Sequence, residues 1–365
     1  VLYAVIYLGE LVPVELPTSV LGLGPSAQWI VILFVYAAIA SMLPVWLLLQ
    51  PRDYINGIQL FVGLGILYGA VLIASPTIVA PAINENLPPA APPIVPLLFV
   101  TIACGAISGF HGLVGSGTTS KQLNREPDAR FVGYLGSSGE GALAIIAIIA
   151  ATAGFSSLAD WEAMYSDFGA GGVTAFVQGG AVIANNGLGL SIGFAETLLT
   201  VMAVLFAGTT MDAGVRLQRY IVQEMGTIYN IPPLQNGYTA TAIAVGACLI
   251  LAFGAGGTDG SGGMLIWPLF GTTNQLLAGL TLLVISVILV KLGRPARYTL
   301  TPMIFVTSMA FFSAVYQLWD LYSTGQYFLV AIDIVIIITA ILVMLESTSA
   351  FMRERRKAAA ATLAG

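Results

Sequence analysis

Charge is what this sequence has least of: Asp, Glu, Lys and Arg together make up 8% of its 365 residues, against roughly a quarter in an ordinary soluble domain. A globule facing water on every side could not be covered by so few charges, so a soluble enzyme is excluded. Histidine is nearly absent, with His111 alone, and the two cysteines, Cys104 and Cys248, sit far apart in apolar runs. One imidazole and two separated thiols cannot close a metal site, and they imply no disulfide framework. No cofactor is called for. Lys and Arg number 13 against 18 Asp and Glu, for a net charge of −5, which leaves no basic excess to neutralise a phosphate backbone. Nucleic acid is therefore not the expected partner. The GxSxG and HExxH patterns of hydrolases are missing as well, and nothing nominates a nucleophile.

What the chain has instead is apolar length. Hydrophobic residues are 57% of the total and the mean hydropathy is +0.90. Runs of about twenty apolar residues recur, each able to cross a hydrocarbon layer of ~30 Å at 1.5 Å per residue. The prediction is an all-α polytopic membrane protein with spans near 28–50, 57–75, 95–118, 131–154, 191–212, 237–257, 265–291, 299–319 and 327–346. That makes about nine spanning helices, preceded by a partial one at 1–9. Residues 1–350 form one transporter domain in this reading, followed by a short basic tail at 351–365. Val1 opens the chain without an initiator Met, a charged leading segment or a signal-type cleavage site, so the expected N-terminus is one cut inside a longer chain.

All 13 basic residues fall in alternate connections: Arg52; Lys121, Arg125 and Arg130; Arg216 and Arg219; Lys291, Arg294 and Arg297; Arg353, Arg355, Arg356 and Lys357. The opposite loops carry Glu10, Glu15, Glu85, Asp160, Glu162, Asp167, Asp259 and Asp320 and no Lys or Arg. The positive-inside rule then places the basic loops and the C-terminus in the cytoplasm. It also decides the stretch 173–190. Were that stretch to span, Arg216 and Arg219 would be delivered outside, so it is read as a re-entrant or interfacial helix. The Pro-rich 88–96 is read as a stiff outer loop.

Polar groups at membrane depth are costly and call for a reason. Gly109 to Leu123, GFHGLVGSGTTSKQL, places four glycines beside His111, Ser116, Thr118 and Thr119, a poor continuous helix. A broken helix near 109–119 is expected, of the kind that offers free backbone N–H and C=O groups to a substrate. The alternative is a packing face of small residues. Glu140 lies about 14 Å into its helix from Phe131, close to the midplane, where an ionised carboxylate costs about 3 kcal/mol. It is the first choice for a proton-coupling residue, with His111 in support. The bland reading is a carboxylate that merely ties helices together. Asp333 and Glu196 lie nearer helix ends and read as structural. Asp212 sits four residues before Arg216 on one helical face, as an ion pair requires. The cluster Thr272, Thr273, Asn274 and Gln275 points to several faces of its helix at once, so some members must face protein or water.

LPVWLLLQPRDY (43–54), TIACGAISGFHGLVGSGTTSKQL (101–123), Gly133-Tyr134 followed by Glu140, and LIWPLFGTTNQLLAG (265–279) resemble the carbon starvation protein A family of membrane transporters. The motifs occur in the family's order over about residues 39–290. The resemblance implies a fold related to the inverted-repeat amino acid–polyamine–cation transporters and proton-driven uptake of peptides or pyruvate across the bacterial inner membrane during carbon limitation. It places Phe110, His111, Ser116, Gly117, Thr118, Thr119, Glu140, Asn274 and Gln275 in the family's marked regions without giving their roles. On the residues themselves, Gly109, Phe110, His111, Ser116, Gly117, Thr118, Thr119, Asn274 and Gln275 are the expected substrate region and Glu140 with His111 the expected proton-coupling pair. Two departures stand out. Gly115 replaces a small polar residue, often Ser, and the family's additional N-terminal helices have no counterpart. A membrane-embedded sensor or scaffold is the competing class.

Overall fold

The computed structural model describes residues 2–12, 14–20, 22–87, 91, 93–166, 172–260 and 262–364. The acid at Asp167 and positions 88–90 and 92 of the Pro-rich loop lie outside the described residues, as do the side chains of Glu10, Cys104 and Asp259. The fold is all-helical. In chain order the helices are α1 (Leu2–Leu11), α2 (Pro25–Met42), α3 (Leu49–Ala74), α4 (Phe99–Ala106), α5 (Gly109–Gly117), α6 (Asp128–Ala153), α7 (Leu158–Met164), α8 (Val173–Leu188), α9 (Ile192–Ile228), α10 (Pro232–Gln235), α11 (Gly237–Gly256), α12 (Gly262–Lys291), α13 (Arg297–Ser323) and α14 (Tyr327–Ala364).

Among the described residues eight helices, α2, α3, α6, α9 and α11 to α14, are long and apolar enough to cross a membrane. The ninth expected span, 95–118, is two short helices, α4 of 8 residues and α5 of 9. The apolar run 28–50 is also divided. Leu43 adopts an extended conformation (ψ 151°) ahead of Pro44, as the steric clash of a following proline ring demands, and α3 restarts at Leu49. Two helices outrun their apolar segments. α9 has 37 residues and α14 has 38, and the basic stretch from Arg353 continues α14 as helix.

By its contacts the chain divides into two compact units, 1–91 with 123–248 and 92–122 with 249–365. In the first, α3, α6, α8 and α9 share a core of Leu64, Leu67, Ile146, Val177, Leu199 and Met202. α8, the expected re-entrant helix, is enclosed by α3, α6 and α9 rather than laid on a surface. Its 16 residues reach about 24 Å, short of a full crossing. Gly154 and Gly179 let α6 and α8 meet backbone to backbone, since a Cβ on either would strike the other chain segment. α8 ends at Gly189, whose φ of +68° closes the helix with an N–H donated to the Asn185 carbonyl at 2.8 Å, a conformation that favours glycine.

The second unit is built on α12, which packs against α4, α5, α13 and α14. Leu276, Ala310 and Ala340 form its apolar centre with Ile336 beside them. Phe99 of α4 stacks edge-on against Phe305 of α13 at 5.2 Å.

Candidate transport site

The second unit holds the helix break. It falls at Ile107–Ser108, just ahead of the glycine stretch, and 109–117 is itself helical. The break expected near 109–119 lies directly ahead of that stretch, and packing is the reason that 109–117 itself stays helical. A Cβ on Gly109 would run into the Asn274 backbone oxygen and come within 2.6 Å of Leu277 Cβ, and one on Gly112 would sit 2.7 Å from Thr281 Oγ1. These two glycines, one turn apart, are the close-packing face of α5 on α12. Contact with α12 offsets the helix cost of about 1 kcal/mol per glycine. Gly115 has nothing near it.

Where α4 stops and α5 starts, the last carbonyls of one and the first N–H groups of the other fall outside a continuous helical ladder. Ser108 occupies the N-cap of α5 but makes no side-chain cap. Asn274 supplies it from 164 residues away. Its Oδ1 accepts the Phe110 N–H at 2.8 Å and its amide lies 3.1–3.2 Å from Ser108 Oγ. Asn274 is thus a clasp at the break, and of the expected substrate residues Gly109, Phe110 and Asn274 lie together.

The remaining expected residues disperse along α5 and beyond. His111 and Ser116 are exposed, the first edge-on to the Phe110 ring and the second bonded back to the Gly112 carbonyl at 2.9 Å. Thr118 is buried with its hydroxyl unpartnered, and Thr119 is half-buried beside it. Glu140 belongs to the first unit. There it is exposed on α6, and residues 131–138 before it are exposed on every face.

Gln275, the neighbour of the clasp on α12, is buried, and the same helix carries a buried polar cluster. Thr272 Oγ1 lies 2.9 Å from Ser313 Oγ and donates to Gln317 Oε1 at 2.9 Å. Among the described residues both polar atoms of the Gln275 side chain and Nε2 of Gln317 are buried without a hydrogen-bond partner. Asp333 is 0% exposed, and neither of its carboxylate oxygens has a hydrogen-bond partner among the same residues. Sequence reasoning placed Asp333 near a helix end and assigned it a structural part. A signal was present: Asp333, Ile336 and Ala340 share one helical stripe, and the last two belong to the apolar centre.

A second buried charge system lies in the first unit. Asp212 pairs with Arg52 at 3.0 Å and with Arg216 at 3.5 Å. Arg216 also donates to the Ala40 and Leu43 carbonyls at 2.7 and 2.9 Å, so it closes the C-terminus of α2, where a cation opposes the helix dipole favourably. The Asp212–Arg216 pair was legible from spacing. Arg52 and the capping of α2 were not.

The family model described as Carbon starvation protein CstA matches residues 1–167 and 155–314. This chain belongs to that family. Among curated relatives of this CstA-family chain, a peptide transporter CstA of Helicobacter pylori is 31% identical over 332 residues, covering 77% of this chain and 48% of the relative. A peptide transporter CstA of Escherichia coli is 34% identical over 318 residues, covering 71% and 45%. A pyruvate/proton symporter BtsT of Escherichia coli is 30% identical over 335 residues, covering 71% and 46%. The chain spans about half the length of the curated relatives it matches. No solved structure matches it. These relatives of the CstA-family chain bear transporter names and not enzyme names.

Proposed function

We propose that this chain serves proton-coupled secondary transport of a small carboxylate-bearing nutrient, a peptide or pyruvate, across the bacterial inner membrane, as part of the response to carbon starvation. The observation that carries the reading is the break at Ile107–Ser108 clasped by Asn274. A break within a helical bundle presents backbone groups that a continuous helix keeps to itself, and the N-terminus of α5 carries the partial positive charge that suits a carboxylate. The names of the relatives, peptide transporter and pyruvate/proton symporter, favour the same solute classes.

In this reading Gly109 and Phe110 at the head of α5, with Ser116 to Thr119 at its foot, border the solute path, while Asn274 and Gln275 hold α12 against it. Glu140 takes up and releases a proton, with His111 in support. The basic loops and the C-terminus face the cytoplasm. An inverted-repeat arrangement with alternating access follows from the same reading.

The test is uptake of labelled pyruvate and of a labelled dipeptide by the purified protein, at its complete natural length, in proteoliposomes with an imposed pH gradient. Uphill uptake that collapses with the gradient is the expected result. Flux no greater than in empty vesicles for either solute favours the scaffold class instead.

A further inference from the structure

The buried layer of the second unit contains an acid that nothing so far has used. Asp333 is fully enclosed, and among the described residues neither of its oxygens accepts a hydrogen bond. Among the described residues no ion pair reaches it. Among the described residues the elements packed on α14 supply no compensating charge on the half that holds Asp333; Lys291 and Arg297 lie at the far ends of α12 and α13. α12 carries no titratable side chain from Gly262 to Val290, and α13 offers only Tyr316, Asp320 and Tyr322 on this half, all exposed. Near Phe328, α11 contributes Gly254 and has no charged residue along its length.

The backbone puts this acid in register with the other unsatisfied groups. α13 and α14 form a helical hairpin through residues 324–326. Gln317 precedes that turn by as many residues as Asp333 follows it, so the two lie at one level. One turn along, Leu276, Ala310, Ile336 and Ala340 close the layer on the apolar side. The same level of α12 holds Thr272, joined to Ser313 and Gln317. Five polar atoms, two of Asp333, two of Gln275 and Nε2 of Gln317, are thus buried without hydrogen-bond partners among the described residues, on the three mutually packed helices α12, α13 and α14.

An ionised carboxylate without a donor or a counter-charge is the least tolerable of the states open to such a group. Its neutral form is tolerable, and it becomes a carrier once one conformation admits water and another does not. We infer that Asp333 binds the coupling proton and holds it while the layer is sealed, and that Gln275 and Gln317 receive the carboxylate when the layer opens and the proton leaves. This deepens the proton-coupled reading above and rests on it.

Two measurements on the protein at its complete natural length separate the inference from that reading. In proteoliposomes, one-proton symport accumulates solute about tenfold per pH unit of gradient. The Asp333→Asn variant should lose this accumulation and retain counterflow of labelled solute against unlabelled solute. Gradient-driven accumulation at the wild-type level in D333N overturns the inference, and so does loss of counterflow in a folded D333N. So does accumulation that D333N loses but that sodium, not protons, drives in the wild type. The second measurement does not require transport. Infrared spectra of protein labelled with carboxyl-13C aspartate should show a protonated carboxyl band at about pH 7 that Asp333→Glu removes and that Asp53→Asn, at the half-buried acid in the first turns of α3, leaves in place. A wild-type spectrum without that band shows Asp333 ionised and overturns the inference, even where D333N does not fold. A wild type that carries the band yet shows no proton-driven uptake retains the protonated Asp333 and removes the transport reading.

Discussion

α6 and α12 are both long apolar helices with polar residues at mid-length, and the fold treats them in opposite ways. On α12 the residues Thr272, Asn274, Gln275 and Ser286 are all buried, each against a neighbouring helix of the same unit. On α6 the stretch 131–138 and Glu140 are exposed, and Gly133, Gly136, Gly139 and Gly141 have nothing within 4 Å. Only from Leu143 onward does α6 join a core, through Leu143, Ile146 and Ile149. A polar residue in an apolar run shows that a partner is required, but which chain segment provides the partner is a matter of tertiary structure. Asp333 and Glu140 make the contrast sharp, since both are acids within spanning-length helices and one is sealed while the other is bare.

The largest effect should come from the buried charges. Replacing Asp212 by Ala leaves the guanidinium groups of Arg52 and Arg216 enclosed without their shared carboxylate. Breaking such a pair costs about 3–5 kcal/mol, so unfolding in detergent should move to markedly lower temperature. An unchanged midpoint would mean that water reaches Arg216 despite its 2% exposure.

Next in size is a pair of glycines on one helix. Gly109→Ala forces α5 away from the Asn274 backbone and should destabilise by about 1–3 kcal/mol, as overpacking does. Gly115→Ala, six residues on with open space around it, should be neutral or stabilise by up to about 1 kcal/mol through helix propensity. Equal effects at the two positions would refute the close contact of α5 with α12. Asn274→Ala should fall between them, at about 1–2 kcal/mol for the lost cap, and should loosen amide protection at Phe110 more than at Val114 in hydrogen exchange.

These expectations show how far the residues themselves speak. Eight of the nine expected apolar runs emerge as helices of spanning length at about the expected positions, because only a helix satisfies its own backbone in lipid, whereas the helix end that Pro44 imposes by local sterics lies inside the run read as 28–50. The break in 95–118 is legible, and it adjoins the glycine stretch that signals it. Its glycines argued against helix on propensity, and the contact of Gly109 and Gly112 with α12, which outweighs that propensity, involves a helix far along the chain. The burial of Asp333 escapes the sequence for a related reason. Depth along its own helix suggested access to water, whereas enclosure is lateral, imposed by α12 and α13. Arg216 shows both limits at once, since its partner four residues away is written in the spacing and its carbonyl acceptors at the end of α2 are not.

The smallest effect is expected at Glu140. It has neither a hydrogen bond nor an ion pair among the described residues, and its surroundings are open. Glu140→Gln should therefore change the stability of this chain by less than about 0.5 kcal/mol, the range of surface substitutions. A fall in uphill uptake at unchanged stability, measured at the complete natural length of the protein, would assign Glu140 a part in proton movement that owes nothing to holding helices together. A large loss of stability in the isolated chain would instead show that α6 finds a partner for this carboxylate within residues 1–365, and the contrast with Asp333 would lose its basis.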